Sequence, residues 1–212
     1  MKLTKHALTM LLPLLLLCGC YTFVGDRVPE TKNWETPATP QDISYTTQCT
    51  VWMDGEKIAS NFSEKNVKSC EQAAHQALSE TRMFAEMHQG NSTLYPFHID
   101  LNVASDTGTV LFGVTSPLTL ISALTIPAVT NGEFAVEADL HNHQTGKALH
   151  IEKTQAYRQW LTILALPAWP FLPSVEEFEK NTIQLLVQSV IDEAKSKGFF
   201  STASGDSQSD FF

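Results

Sequence analysis

The chain has 212 residues, with 14 basic against 23 acidic side chains and a formal net charge of −9. An acidic surplus of this size repels phosphate backbones and anionic headgroups, which sets nucleic-acid binding aside. The length accommodates one sizeable core, and no internal repeat argues for more. The chain opens on Lys2 and Lys5, followed by an uncharged apolar run over residues 10–17. Spanning a bilayer takes about 20 apolar residues, so this run is too short. A basic start and a short apolar run describe a secretory signal.

The run ends in Leu17-Cys18-Gly19-Cys20. This resembles the lipobox of bacterial lipoproteins, in which an aliphatic residue, a small residue and Gly or Ala precede the modified Cys. Cys20 fits because Gly19 precedes it. Cys18 fits poorly because the bulky Leu17 precedes it. The resemblance implies that residues 1–19 are removed and that Cys20 carries the lipid. Several acyl chains hold a protein stably where one would be marginal. In the family's sorting rule, Tyr21 in place of Asp implies the outer membrane, with the protein on its periplasmic face. Loss of Lys2 and Lys5 leaves the mature chain more acidic still.

Residues 20–44 hold Pro29, Pro37 and Pro40 among polar residues and read as an extended tether. Residues 45–53, rich in Thr, Val and aromatics, predict a strand. Asp54-Gly55 signals a turn, with a short return strand over 56–60. Small or apolar residues at Val67, Cys70, Ala74, Ala77, Leu78, Thr81, Phe84 and Ala85 keep a 3.6-residue period and predict a helix over 64–89, stopped by Gly90. His75 and His88 fall on its surface or at its boundary with the core. Phe97, Ile99, Leu101 and Val103 alternate with polar residues as a half-buried strand.

Residues 107–132 carry no charge at all. Within them Ser116-Pro117 starts a short apolar helix that includes Leu118, Leu120, Ile121 and Leu124 and stops at Pro127. Residues 133–143 and 148–160 predict an antiparallel hairpin with a loop over 144–147. A second uncharged stretch covers 159–175 and holds Trp160, Trp169 and Phe171 among prolines. Ser174-Val175-Glu176-Glu177 is a capping box that opens a helix to about Lys197, with Gly198 ending it. Residues 201–212 read as a disordered polar tail. The sum is an α+β domain over 45–200: a mostly antiparallel sheet, two main helices packed on one face, and a short apolar helix.

The pattern of an apolar segment ending in Ile-Pro, a hairpin, a second apolar segment rich in Leu, Pro and Trp, and a final helix resembles a loose group of uncharacterised bacterial lipoproteins. The resemblance covers roughly residues 95–198 and implies location and architecture, with no activity, cofactor or catalytic residue.

With Cys18 discarded and Cys20 lipidated, Cys49 and Cys70 remain, and an oxidising periplasm favours their pairing in a disulfide, against the alternative of two separate buried thiols. The expected hairpin register sets His141 opposite His150 and Asp139 opposite Glu152. His141, His143 and His150 then become candidate ligands for zinc, copper or nickel, or a pH-sensitive patch; the bland alternative is a solvated face that happens to carry histidines. Hydrolase motifs such as GxSxG and HExxH are absent. Leu118, Leu120, Ile121, Leu124, Trp160, Trp169 and Phe171 are candidates for membrane or partner contact, against the alternative of core. The expectation is a non-enzymatic outer-membrane lipoprotein without a cofactor. It serves envelope assembly, maintenance or an accessory role, with the membrane and an envelope protein as partners.

Overall fold

A computed structural model describes residues 19–24, 40–53, 56–57, 61–107, 128–162 and 174–201. Among the described residues, seven strands and two helices follow one another as β1 (Gly19–Val24), β2 (Gln41–Met53), β3 (Glu56–Lys57), α1 (Asn61–Glu80), β4 (Phe84–Gln89), β5 (Phe97–Thr107), β6 (Ala128–Asn142), β7 (Ala148–Thr162) and α2 (Val175–Ser196). The strands form one sheet in the order β1-β7-β6-β5-β2-β3, with β4 beside β2 on the same edge as β3. The β1–β7, β7–β6, β6–β5 and β2–β3 pairs are antiparallel, whereas β2 runs parallel to both β4 and β5. The fold is α+β, as the sequence patterns predict, and its sheet is mixed.

One face of the sheet is covered by both helices. Ile43 and Tyr45 of β2, Phe97, Ile99, Leu101 and Val103 of β5, and Phe134, Val136, Ala138 and Leu140 of β6 point into it and are buried. The helices meet them with Ala73, Ala74, Ala77 and Leu78 of α1 and Ile183, Leu186, Val187, Val190 and Ile191 of α2. Each large side chain fully buried here contributes about 1.5–3 kcal/mol. The period-2 alternation in β5 and β6 is the direct imprint of this one-sided core. Helix α2 starts where the capping residues predict, with the Ser174 hydroxyl accepting the Glu177 N–H at 3.1 Å.

The disulfide joins Cys49 of β2 to Cys70 of α1 across 6.3 Å between Cα atoms. It ties the helix to the core face of the sheet. A second tie, between α2 and β7, is ionic: Glu193 lies 2.5 Å from Lys153 and 2.6 Å from Lys197. Hydrogen bonds to these two ammonium groups depress the Glu193 carboxyl to about 2.

The structure departs from the predicted elements in three places. The helix expected over 64–89 ends at Glu80, and Phe84–Gln89 is a strand. The Thr81 hydroxyl folds back on the Leu78 carbonyl at 2.7 Å, and Arg82 turns left-handed at φ 52°. Parallel pairing of β4 with Gln41–Tyr45 then outweighs the helical period. The proposed tether over 20–44 is strand at both ends, because Gly19–Val24 pairs with β7 and β2 begins at Gln41. The hairpin register differs by two residues: His141 faces Ala148, Asp139 faces His150, and Glu137 faces Glu152.

The reason for the shifted register is the turn. Asn142 N–H donates to the Lys147 carbonyl and the Asn142 side chain accepts the N–H groups of Gln144 and Thr145, so the loop is 143–146. Gly146 closes it at φ 69°, a conformation that glycine adopts without strain. The short apolar helix expected over 116–126 and the tail over 202–212 lie outside the described residues.

Candidate functional site

The face of the sheet opposite the helices is polar, and its rows follow from the strand register. Ser44, His98, His141 and Ala148 form one row; Thr46, Asp100, Asp139 and His150 the next; Gln48, Asn102, Glu137 and Glu152 a third. Nearer the other end, Asp106 stands opposite Glu133. Three cross-strand pairs on this face are therefore like-charged: Asp100 with Asp139, Glu137 with Glu152, and Asp106 with Glu133. Such pairs cost stability when nothing offsets them.

Hydrogen bonds offset part of that cost. Thr46 donates its hydroxyl to Asp100. Asn102 donates its side-chain amide to Glu137 at 3.3 Å. His98 Nε2 lies 3.0 Å from Asp100 Oδ1, and its Nδ1 lies 2.8 Å from the Ser44 hydroxyl. That hydroxyl has one proton and three acceptors in reach, since the carbonyls of Ser92 and Phe97 lie at 3.0 and 3.4 Å. With the ring proton on Nε2, the hydroxyl proton goes to Nδ1. With a proton on Nδ1, the hydroxyl turns to the Ser92 carbonyl.

A Ser–His–Asp row has the composition of a nucleophilic relay. Here Ser44 is fully buried and His98 is 2% exposed, so the hydroxyl has no access for an electrophile. The row clamps β2 to β5 and to the loop at Ser92. The His98–Asp100 spacing was visible as two residues sharing a strand face. Ser44 was not, because it lies 54 residues from His98 and only the parallel pairing joins them.

The candidate metal ligands are separated. His141 and His150 share the face on a diagonal, about 7–8 Å apart by sheet geometry. His143 has left the strand for the turn, its N–H held by the Pro96 carbonyl at 2.9 Å. Among the described residues no group of three or more His, Cys, Asp or Glu side chains is placed to hold a metal ion. His150 instead gives Nδ1 to Asp139 at 2.8 Å. This hydrogen bond, then the Asp139 charge, raises the His150 pKa above its ordinary 6.5, with Glu137 and Glu152 adding to the effect. The attraction is present below the ordinary histidine pKa and is lost as pH rises through the raised one. The His150 titration followed by NMR is therefore expected above pH 6.5 in the native chain and closer to it in Asp139→Asn; a midpoint indifferent to that substitution would show that the pair does not form.

His75 and His88 have partners as well. The Tyr45 hydroxyl and His75 Nδ1 share a hydrogen bond at 2.7 Å, and burial followed by the Glu71 charge raises the Tyr45 pKa. His88 stacks on Tyr95 with ring centroids 5.3 Å apart.

On the core side, a cavity of about 420 Å³ opens between the N-terminal halves of both helices and the sheet. The disulfide, Phe134, Tyr157, Phe178 and Glu179 bound it. Burial, and secondarily the Glu176 charge, raises the Glu179 pKa. The Tyr157 ring reaches its place by lying across Gly132, where an added Cβ would fall 2.3 Å from Tyr157 Cζ.

Of the candidate contact residues, Leu118, Leu120, Ile121, Leu124, Trp169 and Phe171 lie outside the described residues. Trp160 sits in β7, in register with Tyr21 on one side and Val129 on the other. No helix among the described residues is long and apolar enough to cross a membrane.

The sequence matches no protein-family model and no curated protein. Among solved structures it is similar to the PelC dodecamer from Paraburkholderia phytofirmans, at 9% identity over 81% of this chain and 97% of that one, with a TM-score of 0.33. It is also similar to a protein described as a neuraminyllactose-binding hemagglutinin homologue from Helicobacter pylori, at 5% identity over 82% of this chain and 90% of that one, with a TM-score of 0.39. No functional conclusion rests on likenesses this distant.

Proposed function

We propose that this chain is a bacterial outer-membrane lipoprotein, held on the periplasmic face by acyl chains on Cys20, with a non-catalytic role in envelope assembly or maintenance. The observation that carries the reading is Leu17-Cys18-Gly19-Cys20 behind a basic start and a short apolar run. The Cys49–Cys70 disulfide suits an oxidising compartment and supports it. An envelope protein partner follows from location.

The test is metabolic labelling with an alkyne fatty acid, followed by fractionation of the membranes. The native chain is expected to take the label and to sediment with the outer membrane. Cys20→Ala behind an ordinary cleavable signal is expected to lose the label completely. Label retained in Cys20→Ala, or none in the native chain, would overturn the reading.

The reading of the polar face as pH-sensitive has one observation of its own, the His150–Asp139 contact. As pH falls, protonated His150 neutralises part of an acid-rich row, which changes what that face attracts.

A further inference from the structure

Described parts of the two uncharged stretches of the sequence are neighbours in the fold. Thr130 pairs with Gln159, Val129 with Trp160 and Ala128 with Leu161, so 128–132 lies alongside 157–161. Strand β1 adds a third strand to this ribbon, with Thr22, Tyr21 and Cys20 opposite the same three β7 residues. The last described residue of β5, Thr107, stands opposite Gly132. From Gly132 to Ala128 the β1–β7–β6 ribbon extends about 13 Å beyond that row, at the usual rise per residue. Its last four rows contain one charged residue, Arg158, in register with Phe23 and Asn131. Cys20 lies in the row farther out, beside Leu161 and Ala128.

From this we infer that the ribbon tip is the surface by which the domain sits on the lipid leaflet, a step that rests on the lipoprotein reading above. The occupant is the phospholipid surface that receives the Cys20 acyl chains. An anchor residue paired within a strand has no slack between lipid and domain. The Tyr21–Trp160–Val129 row comes next, and Trp and Tyr favour the interfacial region because their rings are apolar and carry one polar group. Arg158 follows two rows farther in, about 7 Å from that row at the usual strand rise, where a long cationic side chain reaches lipid phosphates.

Depth is limited as well. Strand β1 is the sheet's edge, and unpaired backbone groups are costly in hydrocarbon, so the tip rests at headgroup depth. The strands then rise from the leaflet and the 143–146 turn points away from it. The acid-rich face stands upright and clear of anionic headgroups, which would repel it if it lay flat.

Single cysteines at Asn131, near the tip, and Gln144, in the far turn, test this. The disulfide closes Cys49 and Cys70, the anchor occupies Cys20, and Cys18 leaves with the signal, so each introduced thiol labels alone. The lipidated, full mature chain is labelled with a fluorophore and reconstituted into phosphatidylethanolamine–phosphatidylglycerol vesicles with brominated acyl chains. The Asn131→Cys label is expected to be quenched several-fold more than the Gln144→Cys label. Equal quenching, or stronger quenching at Gln144→Cys, overturns the seating. Intact mass of the same samples reports acylation. An unacylated Cys20 sinks the lipoprotein reading, whereas an acylated protein with an unquenched tip sinks the seating alone. Should Asn131→Cys fail to fold, hydrogen exchange on the native chain decides. Amides of 158–162 are expected to slow on vesicles relative to Cys20→Ala in solution, with 143–147 unchanged; equal exchange at 158–162 overturns the inference.

Discussion

Replacing Phe97 with alanine is expected to lower the free energy of unfolding by about 3–5 kcal/mol, the usual cost of truncating a buried aromatic. Phe97 is fully buried at the start of β5. Its ring meets Phe199 at 5.9 Å and Phe200 at 5.5 Å between centroids, and Phe200 in turn meets Phe84 of β4 at 5.7 Å. This aromatic cluster is where the chain beyond α2 is held against the sheet. The Phe199 carbonyl accepts the Asn142 side chain at 3.3 Å, so loosening the cluster also disturbs the hairpin turn. Urea unfolding followed by circular dichroism gives the value. Leu94→Ala is the control, because Leu94 is 92% exposed and its truncation is expected to stay within about 0.5 kcal/mol. A shift in Phe97→Ala no larger than that control would show that the cluster does not form.

Opening the disulfide is expected to cost about 3 kcal/mol, the loop-entropy value for a closure of this size. Cys49 and Cys70 are 21 residues apart in sequence, and the loop they close joins β2 to α1. The bond restricts the unfolded chain more than the folded one, so the loss should fall mainly on the unfolded reference state. Cys49→Ser with Cys70→Ser is the cleanest variant, since it leaves no lone thiol to pair elsewhere. Its urea midpoint is expected to match that of the native chain under dithiothreitol, and both should lie well below the oxidised chain. Coincidence of all three midpoints would show that the two cysteines are not bonded.

Much of the domain was readable from short-range pattern. The alternation of Phe97, Ile99, Leu101 and Val103 marks β5 because a sheet covered on one side buries every second residue. Ser174 marks the start of α2 because the first N–H groups of a helix need an acceptor. The pairing of Cys49 with Cys70 was an expectation from counting cysteines, once a lipobox-like motif was set against Cys18 and Cys20.

Other features depended on contacts between distant segments. Strand β4 has a helix-compatible sequence, and it is a strand because Gln41–Tyr45 offers it an edge. The histidine positions on the hairpin depended on one turn: placing the loop at 143–146 moves His141 from His150 to Ala148 and gives His150 to Asp139. The Ser44–His98 clamp joins residues whose separation exceeds any local pattern.

The apolar ribbon shows the division most clearly. Composition alone marks 107–132 and 159–175 as uncharged, and the residues ending at Cys20 resemble a lipobox, because charge and residue type are properties of each position taken singly. That described parts of the two stretches lie side by side, with Cys20 in the same row, is decided by strand register, which depends on hydrogen bonds between segments the sequence holds far apart.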